Sequence, residues 1–355
     1  MRGTFQGVLS FSKIEIYIGI KNGKSHCELS FLSLGIMHEK TENITMENDV
    51  LQFELKVNDT IWLFKIQLRD GIYKCILNDG RRNIEIKLEK ISDKYTFLNS
   101  YITIPIENIE LLREYKDYFD NQSISPIHYE LSNVDVKAYL NSQGLIFKGR
   151  HSLSNALKIM RKICSRFSQD GINYTHSNQY GTIANIKWAA VHNYHTNCRG
   201  MAIIFAGILR CCGYIAGHTT CFPYDKDDTE CHVVVEVFIP EYNKFVMFDP
   251  TMNLVLFNKD IPQNLLEIRG SLIKGEQLIA NEDASHNGKL FDLVEYLAYL
   301  SKNLFCFQKC LDYNEIQDAD IDNSITLIPI NYNEKGNNRI MTTTSETSIF
   351  YGYKL

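Results

Sequence analysis

The chain has 355 residues, enough for two or three domains, and its 45% hydrophobic and 22% charged residues are typical of a globular protein. Its formal net charge of -5 lacks the basic footprint of nucleic-acid binding, so no nucleic-acid partner is predicted. No apolar run is long enough to span a membrane, and the 10 cysteines form no CxxC pair, which favours a reducing, cytoplasmic location over a secreted disulfide scaffold.

The first third of the chain consists of short runs in which apolar and polar residues alternate. Residues 50–57 (VLQFELKV) are one example, and Asn-Asp-Gly at 78–80 is a hairpin signal between two later runs. Short strands at regular spacing predict an all-β, sandwich-like domain over residues 1–120, which we interpret as a scaffold or docking module. Residues 121–150 are less regular and are predicted to be a linker.

Two helices are predicted after the linker. Apolar residues recur at helical spacing between Leu157 and Phe167, behind serines that can cap a helix. The second helix covers residues 183–193 and ends in a loop that leads to Cys198. We expect the first helix to serve in packing, whereas the second brings Trp188 and His192 toward that loop.

Cys198 stands where the next apolar periodic segment begins. Apolar residues from Met201 to Leu209 follow the pattern of a helix face, and Gly213 lies just beyond its end. Cys198 is therefore predicted in the first turn of a buried helix. The free N–H groups and the positive dipole end there favour a thiolate, which is the nucleophilic form of cysteine.

His232 and Asp249 lie on two further predicted strands. His232 is in CHVVVEVFI, a β-branched run typical of a buried strand, and Asp249 ends the run KFVMFD just before Pro250. If the two strands form a hairpin, the imidazole and the carboxylate can face each other near one end. Together with Cys198 they would give the nucleophile, base and orienting group of covalent catalysis.

In this order the three segments NCRGMAIIFAGILRCCGYIAG, HVVVEVFI and FDPTMN resemble the transglutaminase-like superfamily of papain-type folds. The resemblance implies an α+β fold with a papain-like or transglutaminase-like core, in which the cysteine helix packs on an antiparallel sheet. It assigns residues 151–330 to a catalytic domain and the family's catalytic triad to Cys198, His232 and Asp249. The remaining residues, 331–355, form a polar tail.

The chain departs from the family pattern at two places. The family often has an aromatic residue two positions after the histidine, where this chain has Val234. It often has an arginine near the start of the strand after the helix, where Ala216 and Gly217 stand here.

The resemblance implies an enzyme that attacks an amide carbonyl through a thioester and needs no cofactor. Water is the expected acyl acceptor, which makes the protein a peptidase or amidase acting on a peptide, protein or other amide. Transfer to an amine, as in protein cross-linking, and a non-catalytic binding protein on the same fold are the alternatives. The oligomeric state is left open. The transition-state oxyanion is expected on the Cys198 N–H and on a second donor, chosen from Asn197, His195, His192 and Trp188.

Two further clusters in the sequence have residue types that occur in functional sites. The acidic loop formed by Asp225, Asp227, Asp228 and Glu230 adjoins His232, so it is either a solvated turn or a selector of basic substrates. The residues Cys221, Cys231, His232 and His218 are of types that bind zinc, but they lack zinc-site spacing, and no metal is predicted.

Overall fold

The structure of the protein is a computed structural model. It describes residues 2–9, 12–21, 24–31, 36–57, 60–78, 80, 83–93, 104–131, 133–171, 173–228, 230–289, 292–315, 323–333, 337, 340 and 342–353. The chain divides into two compact units. The first contains residues 1–103 and 289–296, and the second contains residues 104–288 and 297–355.

The first unit is all β. Its strands are β1 (Gly3–Leu9), β2 (Ser12–Lys21), β3 (Lys24–Phe31), β4 (Ile36–Lys40), β5 (Glu42–Glu47), β6 (Val50–Val57), β7 (Thr60–Arg69), β8 (Ile72–Asn78) and β9 (Asn83–Ser92). They form one nine-stranded sheet in the order β4-β3-β2-β1-β9-β8-β7-β6-β5, and every neighbouring pair is antiparallel.

This sheet corrects the prediction of a sandwich over the N-terminal residues. Because β1 pairs with both β2 and β9, the meander curls into a single, nearly closed barrel-like sheet whose edge strands, β4 and β5, are consecutive in the chain. At the predicted hairpin, the Asn78 side chain accepts the Gly80 N–H, and Gly80 has a φ of 85° that favours glycine. The middle residue of that hairpin signal, Asp79, lies outside the described residues.

One face of seven of the strands, β1 to β3 and β6 to β9, supplies the described core of the first unit. Alternate residues such as Ile14, Ile16 and Ile18 on β2 are buried, as the period-2 pattern requires. On β7 the same holds for Phe64 and Ile66. Side chains therefore fill the interior of this sheet.

The second unit mixes helices with short and long strands. The helices are α1 (Ile106–Glu114), α2 (Val134–Ser142), α3 (Leu153–Cys164), α4 (Thr182–Val191), α5 (Cys198–Cys211), α6 (Leu265–Lys274), α7 (Leu293–Asn303) and α8 (Thr347–Tyr351); the first residues of α7 belong to the segment grouped with the first unit. The strands are β10 (His128–Tyr129), β11 (Ser168–Gln169), β12 (His195–Thr196), β13 (Ala216–Phe222), β14 (His232–Ile239), β15 (Lys244–Phe248), β16 (Leu256–Asn258), β17 (Ile261–Pro262), β18 (Ile279–Ala280), β19 (Cys306–Cys310), β20 (Asp312–Tyr313), β21 (Ser324–Leu327) and β22 (Thr343–Thr344). No helix within these described ranges is both long and apolar enough to cross a bilayer.

A six-stranded sheet organises the second unit. Its order is β15-β14-β13-β19-β21-β22, and it is antiparallel except for the last pair. Helix α5 packs against β13 and β14, and its residues from Gly200 to Arg210 are all buried. The predicted α+β fold, with a cysteine helix packed on an antiparallel sheet, is confirmed.

Two glycines let the helices of this unit approach closely. A β-carbon on Gly207 of α5 would lie 1.8 Å from Thr182 Oγ1 at the start of α4. A β-carbon on Gly200 would lie 2.0 Å from Thr196 Oγ1. These close contacts fix where the first turn of α5 sits relative to the residues that precede it.

Candidate active site

Cys198 is the first residue of α5 and is half-buried. The helix is capped by Asn197, whose side-chain oxygen accepts the Gly200 N–H at 2.9 Å. The sulfur therefore lies at the positive end of a helix dipole, as the sequence pattern predicts. The backbone N–H of Val233, on the neighbouring strand β14, donates a hydrogen bond to this sulfur.

His232 begins β14 and lies beside Cys198. Its side chain is only 2% exposed, and its ring is hydrogen-bonded to the Cys198 side chain. The other side of the ring faces Asp249, with His232 Nε2 2.6 Å from Asp249 Oδ2. Because Nε2 is taken by the carboxylate, Nδ1 is the ring nitrogen left for the sulfur.

Asp249 follows β15 and is completely buried. Its second oxygen, Oδ1, accepts the Thr251 N–H at 2.8 Å and the Thr251 hydroxyl at 2.6 Å. In the antiparallel β14–β15 ladder Val235 pairs with Phe248, so the same register sets Asp249 opposite Val234. Val234 is two residues from His232 and therefore lies on the same face of the sheet, which brings Asp249 to the face that carries His232. The structure thus brings all three predicted triad residues together.

The electrostatics of this group favour a thiolate and an imidazolium. Burial raises the pKa of the Cys198 thiol, but the His232 hydrogen bond and charge, the Val233 N–H and the Arg199 charge outweigh it, and the pKa is lowered. Burial lowers the pKa of His232, but the Asp249 carboxylate and Cys198 outweigh it and raise the pKa to about 10. Both shifts favour the thiolate–imidazolium form of the pair over the neutral thiol and imidazole.

Tyr299 of α7 covers the same ring, and sequence reasoning missed it. Its ring is 5.4 Å from that of His232, at an interplanar angle of 75°, which is an edge-to-face contact. Burial, followed by the negative charges of Cys198 and its neighbours, raises the pKa of Tyr299 well above its usual value. The phenol thus stays neutral beside the pair. Tyr299 lies 67 residues beyond His232 in the chain, and no motif in the sequence links the two.

The four predicted oxyanion donors are placed differently from one another. Asn197 adjoins Cys198, but it caps the helix, and its Nδ2 lies 3.2 Å from His176 Nδ1. His192 Nδ1 donates to the Trp188 carbonyl at 2.7 Å, and the two rings stack with centroids 3.9 Å apart. His195 Nδ1 donates to the His192 carbonyl at 3.2 Å.

Gln169 is a further polar residue beside the cysteine helix. Its strand, β11, pairs in parallel with β12, which sets Gln169 opposite Thr196. Asn287 Oδ1 accepts the Gln169 backbone N–H at 2.9 Å, and Asn287 Nδ2 donates to the Gln169 carbonyl at 2.9 Å. His286 Nε2 donates to the Gln169 side-chain oxygen at 3.0 Å. Only 7% of Gln169 is exposed, and its Nε2 has no hydrogen-bond partner within the described residues.

The Gln169 amide nitrogen lies close to the start of α5. A β-carbon on Gly171 would be 3.1 Å from Gln169 Nε2 and 3.7 Å from Asn197 Cβ, so the amide and the residue before Cys198 flank the same point. Gly171 is exposed, which leaves that point open to solvent. No sequence pattern indicates this contact, because it arises from pairing between strands that are distant in the chain.

The acidic loop next to His232 is partly neutralised by Lys302 of α7. The Lys302 ammonium lies 2.8 Å from Asp228 Oδ2 and 2.7 Å from Glu230 Oε2. Two of the four predicted carboxylates are therefore ion-paired within the protein, which weakens the hypothesis that the loop selects basic substrates.

The four residues of the zinc hypothesis do not form a ligand set. His218 Nε2 lies 3.6 Å from Cys310 Sγ, while Cys221 pairs in register with His232 across β13 and β14. Within the described ranges, no three His, Cys, Asp or Glu side chains are grouped so that they could hold a metal ion.

Comparison with known proteins identifies this part of the chain. Residues 142–250 match the sequence model of the transglutaminase-like superfamily. A solved structure described as a "Putative Cysteine Protease from Cytophaga hutchinsonii" is similar over 59% of this chain and 68% of that chain, with 11% identity and a TM-score of 0.24. No curated protein sequence matches the chain significantly. The match to the transglutaminase-like superfamily thus covers residues 142–250, a segment that includes Cys198, His232 and Asp249.

Proposed function

We propose that the protein is a cysteine enzyme that hydrolyses an amide bond in a peptide, protein or other amide substrate. The observation that carries the proposal is the continuous set of hydrogen bonds from Cys198 through His232 to the buried Asp249. Cys198 is half-buried as a residue and stands at a helix N-terminus, and the pKa of its thiol is lowered, which favours a nucleophile. Burying the Asp249 carboxylate costs free energy, and its hydrogen bonds to His232 and Thr251 offset that cost and hold it beside the ring.

The proposed reaction has two halves. The Cys198 thiolate attacks the carbonyl carbon, and the His232 imidazolium donates its Nδ1 proton to the leaving amine as the C–N bond breaks. A water molecule then attacks the thioester carbonyl while His232 accepts a proton from it. The carboxylic acid product leaves, and the thiolate is restored. Throughout, Asp249 holds the ring in the orientation that presents Nδ1 to the sulfur.

We further propose Gln169 as the second oxyanion donor, besides the Cys198 N–H. Its side-chain oxygen is held by His286, which fixes the direction of the unpaired Nε2. Removing one oxyanion donor typically costs a factor of about 10² to 10³ in rate. In Gln169→Ala we therefore expect acylation of Cys198 by a neutral ester to slow by about that factor, while alkylation by iodoacetamide, which forms no oxyanion, stays unchanged.

The main test is covalent labelling by a thiol-directed acyl probe, with site mapping by mass spectrometry. We expect labelling of the wild type to be lost in Cys198→Ala. The matched control is Cys211→Ala, because Cys211 is also half-buried but lies at the opposite end of α5, where burial raises the pKa of its thiol to about 11. Unchanged labelling in Cys198→Ala would remove the proposal.

The acyl acceptor is tested by adding a primary amine during turnover of a peptide substrate. Hydrolysis predicts the free acid as the main product at all practical amine concentrations. Accumulation of the amine-coupled product instead would favour acyl transfer, and a complete absence of turnover across peptide and amide libraries would favour a non-catalytic protein.

A further inference from the structure

Arg199, the second residue of α5, carries a positive charge where a helix disfavours one. The N-terminal end of a helix is already positive, so a cation in the first turn is destabilising there. Arg199 is half-buried and donates from Nη2 to Thr220 Oγ1 at 3.1 Å. No described carboxylate pairs with it, whereas Lys302 and Arg161 have ion-pair partners.

The guanidinium is held close to the reactive sulfur. Thr220, which accepts its hydrogen bond, pairs in register with Val233, and the Val233 N–H donates to Cys198 Sγ. The Arg199 charge acts on both Cys198 and His176 and lowers the pKa of each. A guanidinium has five donors in a planar fork, and the described residues accept one hydrogen bond from that of Arg199.

His176 adds a neutral donor at the same place. Its Nδ1 lies 3.2 Å from Asn197 Nδ2, and since an amide nitrogen can only donate, Nδ1 is the acceptor and the ring proton is on Nε2. Burial, with the charges of Arg199 and His218, lowers the pKa of His176 to about 4, so the ring is neutral at neutral pH. Its Nε2–H has no acceptor within the described part of the protein.

We propose that Arg199 and His176 form an anion subsite beside Cys198, which binds a carboxylate that the substrate carries next to the scissile amide. This proposal rests on the proposed function and names its substrate class: amides flanked by a terminal carboxylate or by an acidic side chain. A guanidinium fork is the group best suited to bind a carboxylate with two parallel hydrogen bonds. Lys302 pairs with Asp228 and Glu230, which reduces the negative charge of the acidic loop that would oppose an anionic substrate.

The first test compares two small alkylating agents that differ in charge, with Cys198 followed by peptide mapping. Iodoacetate carries a carboxylate, whereas iodoacetamide is neutral. The ratio of the iodoacetate rate to the iodoacetamide rate does not depend on the amount of thiolate, because both agents react with the same thiolate. We expect this ratio to fall about tenfold in Arg199→Gln, which corresponds to the loss of one partly exposed charge-assisted hydrogen bond, and to fall less in Arg199→Lys, which keeps the charge. Lys187→Gln removes an exposed positive charge elsewhere in the same unit and should leave the ratio unchanged.

Equal slowing of both agents in Arg199→Gln would overturn the proposal, because Arg199 would then act only on the thiol. An unchanged ratio in His176→Ala would remove His176 from the subsite. Because alkylation requires a reactive thiol but no turnover, these outcomes are independent of whether Cys198 forms an acyl-enzyme.

The second test uses peptide pairs that end in a carboxylate or in a carboxamide, and pairs with glutamate or glutamine beside the scissile bond. We expect the wild type to prefer the anionic member of at least one pair, and Arg199→Gln to lose that preference. The pair that responds distinguishes a terminal carboxylate from a side-chain carboxylate. Equal rates on all pairs would overturn the proposal, whereas turnover that survives Cys198→Ala would refute the proposed function instead.

Discussion

Replacing Asp249 by asparagine tests how the reactive pair is formed. The asparagine can keep Oδ1 on Thr251, so the fold around it should persist, but the negative charge next to His232 Nε2 is lost. Two unit charges about 4 Å apart attract each other by about 4 kcal/mol at an effective dielectric constant of about 20, which corresponds to a pKa change of about 3. The His232 pKa is raised in the same direction, from 6.5 to about 10, as the balance of burial, which lowers it, and of Asp249 and Cys198, which raise it.

Without that charge, the His232 ring is largely neutral at pH 7, and the Cys198 thiolate loses its counterion. We expect the iodoacetamide reactivity of Cys198 at pH 7 to fall by about 10² to 10³, and its pH midpoint to rise. Amide turnover should fall by about 10⁴, as expected when an orienting carboxylate becomes an amide and the imidazole adopts the wrong tautomer.

The control for this substitution is Asp312→Asn. It breaks another Asp–His contact in the same unit, His128 Nδ1 to Asp312 Oδ1 at 2.8 Å, which lies at the surface. This exposed pair should have no effect on Cys198. If Asp249→Asn leaves the alkylation midpoint of Cys198 unchanged, the idea that Asp249 sustains the imidazolium is refuted.

Two further predictions follow from the pKa directions and from the packing of α5. Turnover needs the Cys198 thiolate and the His232 imidazolium together, so kcat/KM should rise with pH at a midpoint below the ordinary thiol value of 9.0 and fall near pH 10. In His232→Gln the pH midpoint for alkylation of Cys198 should move upward. An unchanged midpoint would contradict the pairing. Gly207→Ala should destabilise the protein by about 1 to 3 kcal/mol in urea unfolding, because the added β-carbon meets Thr182. Gly270→Ala, at a position of α6 with open space around it, should stabilise the protein by up to about 1 kcal/mol. Equal effects of the two substitutions would contradict the close packing of α5 against α4.

Local sequence patterns predicted much of the fold. A helix that begins at Cys198 and strands around His232 follow from periodicity and stop signals within short segments, and the structure has both. The sandwich prediction was wrong because strand alternation does not show which strands pair. Only the β1–β9 pairing, between the two ends of the first unit, closes the meander into one sheet.

The immediate surroundings of the site were harder to predict, because they come from parts of the chain that are distant in sequence. Gln169 reaches the start of α5 through a two-residue parallel pairing that is too short to leave a pattern. His176 lies in a loop, and Tyr299 has the ordinary spacing of a packing helix. The domain boundaries, the catalytic roles and the identity of the second oxyanion donor stay predictions, since each depends on behaviour in solution.

The most direct measurement of the central claim is the mass of the protein during turnover of a slowly hydrolysed ester or amide. A Cys198 nucleophile predicts one added acyl group per chain, mapped to the peptide that contains Cys198, which decays as free acid appears. An acyl group on another residue, or turnover with no covalent adduct at all, would contradict the account.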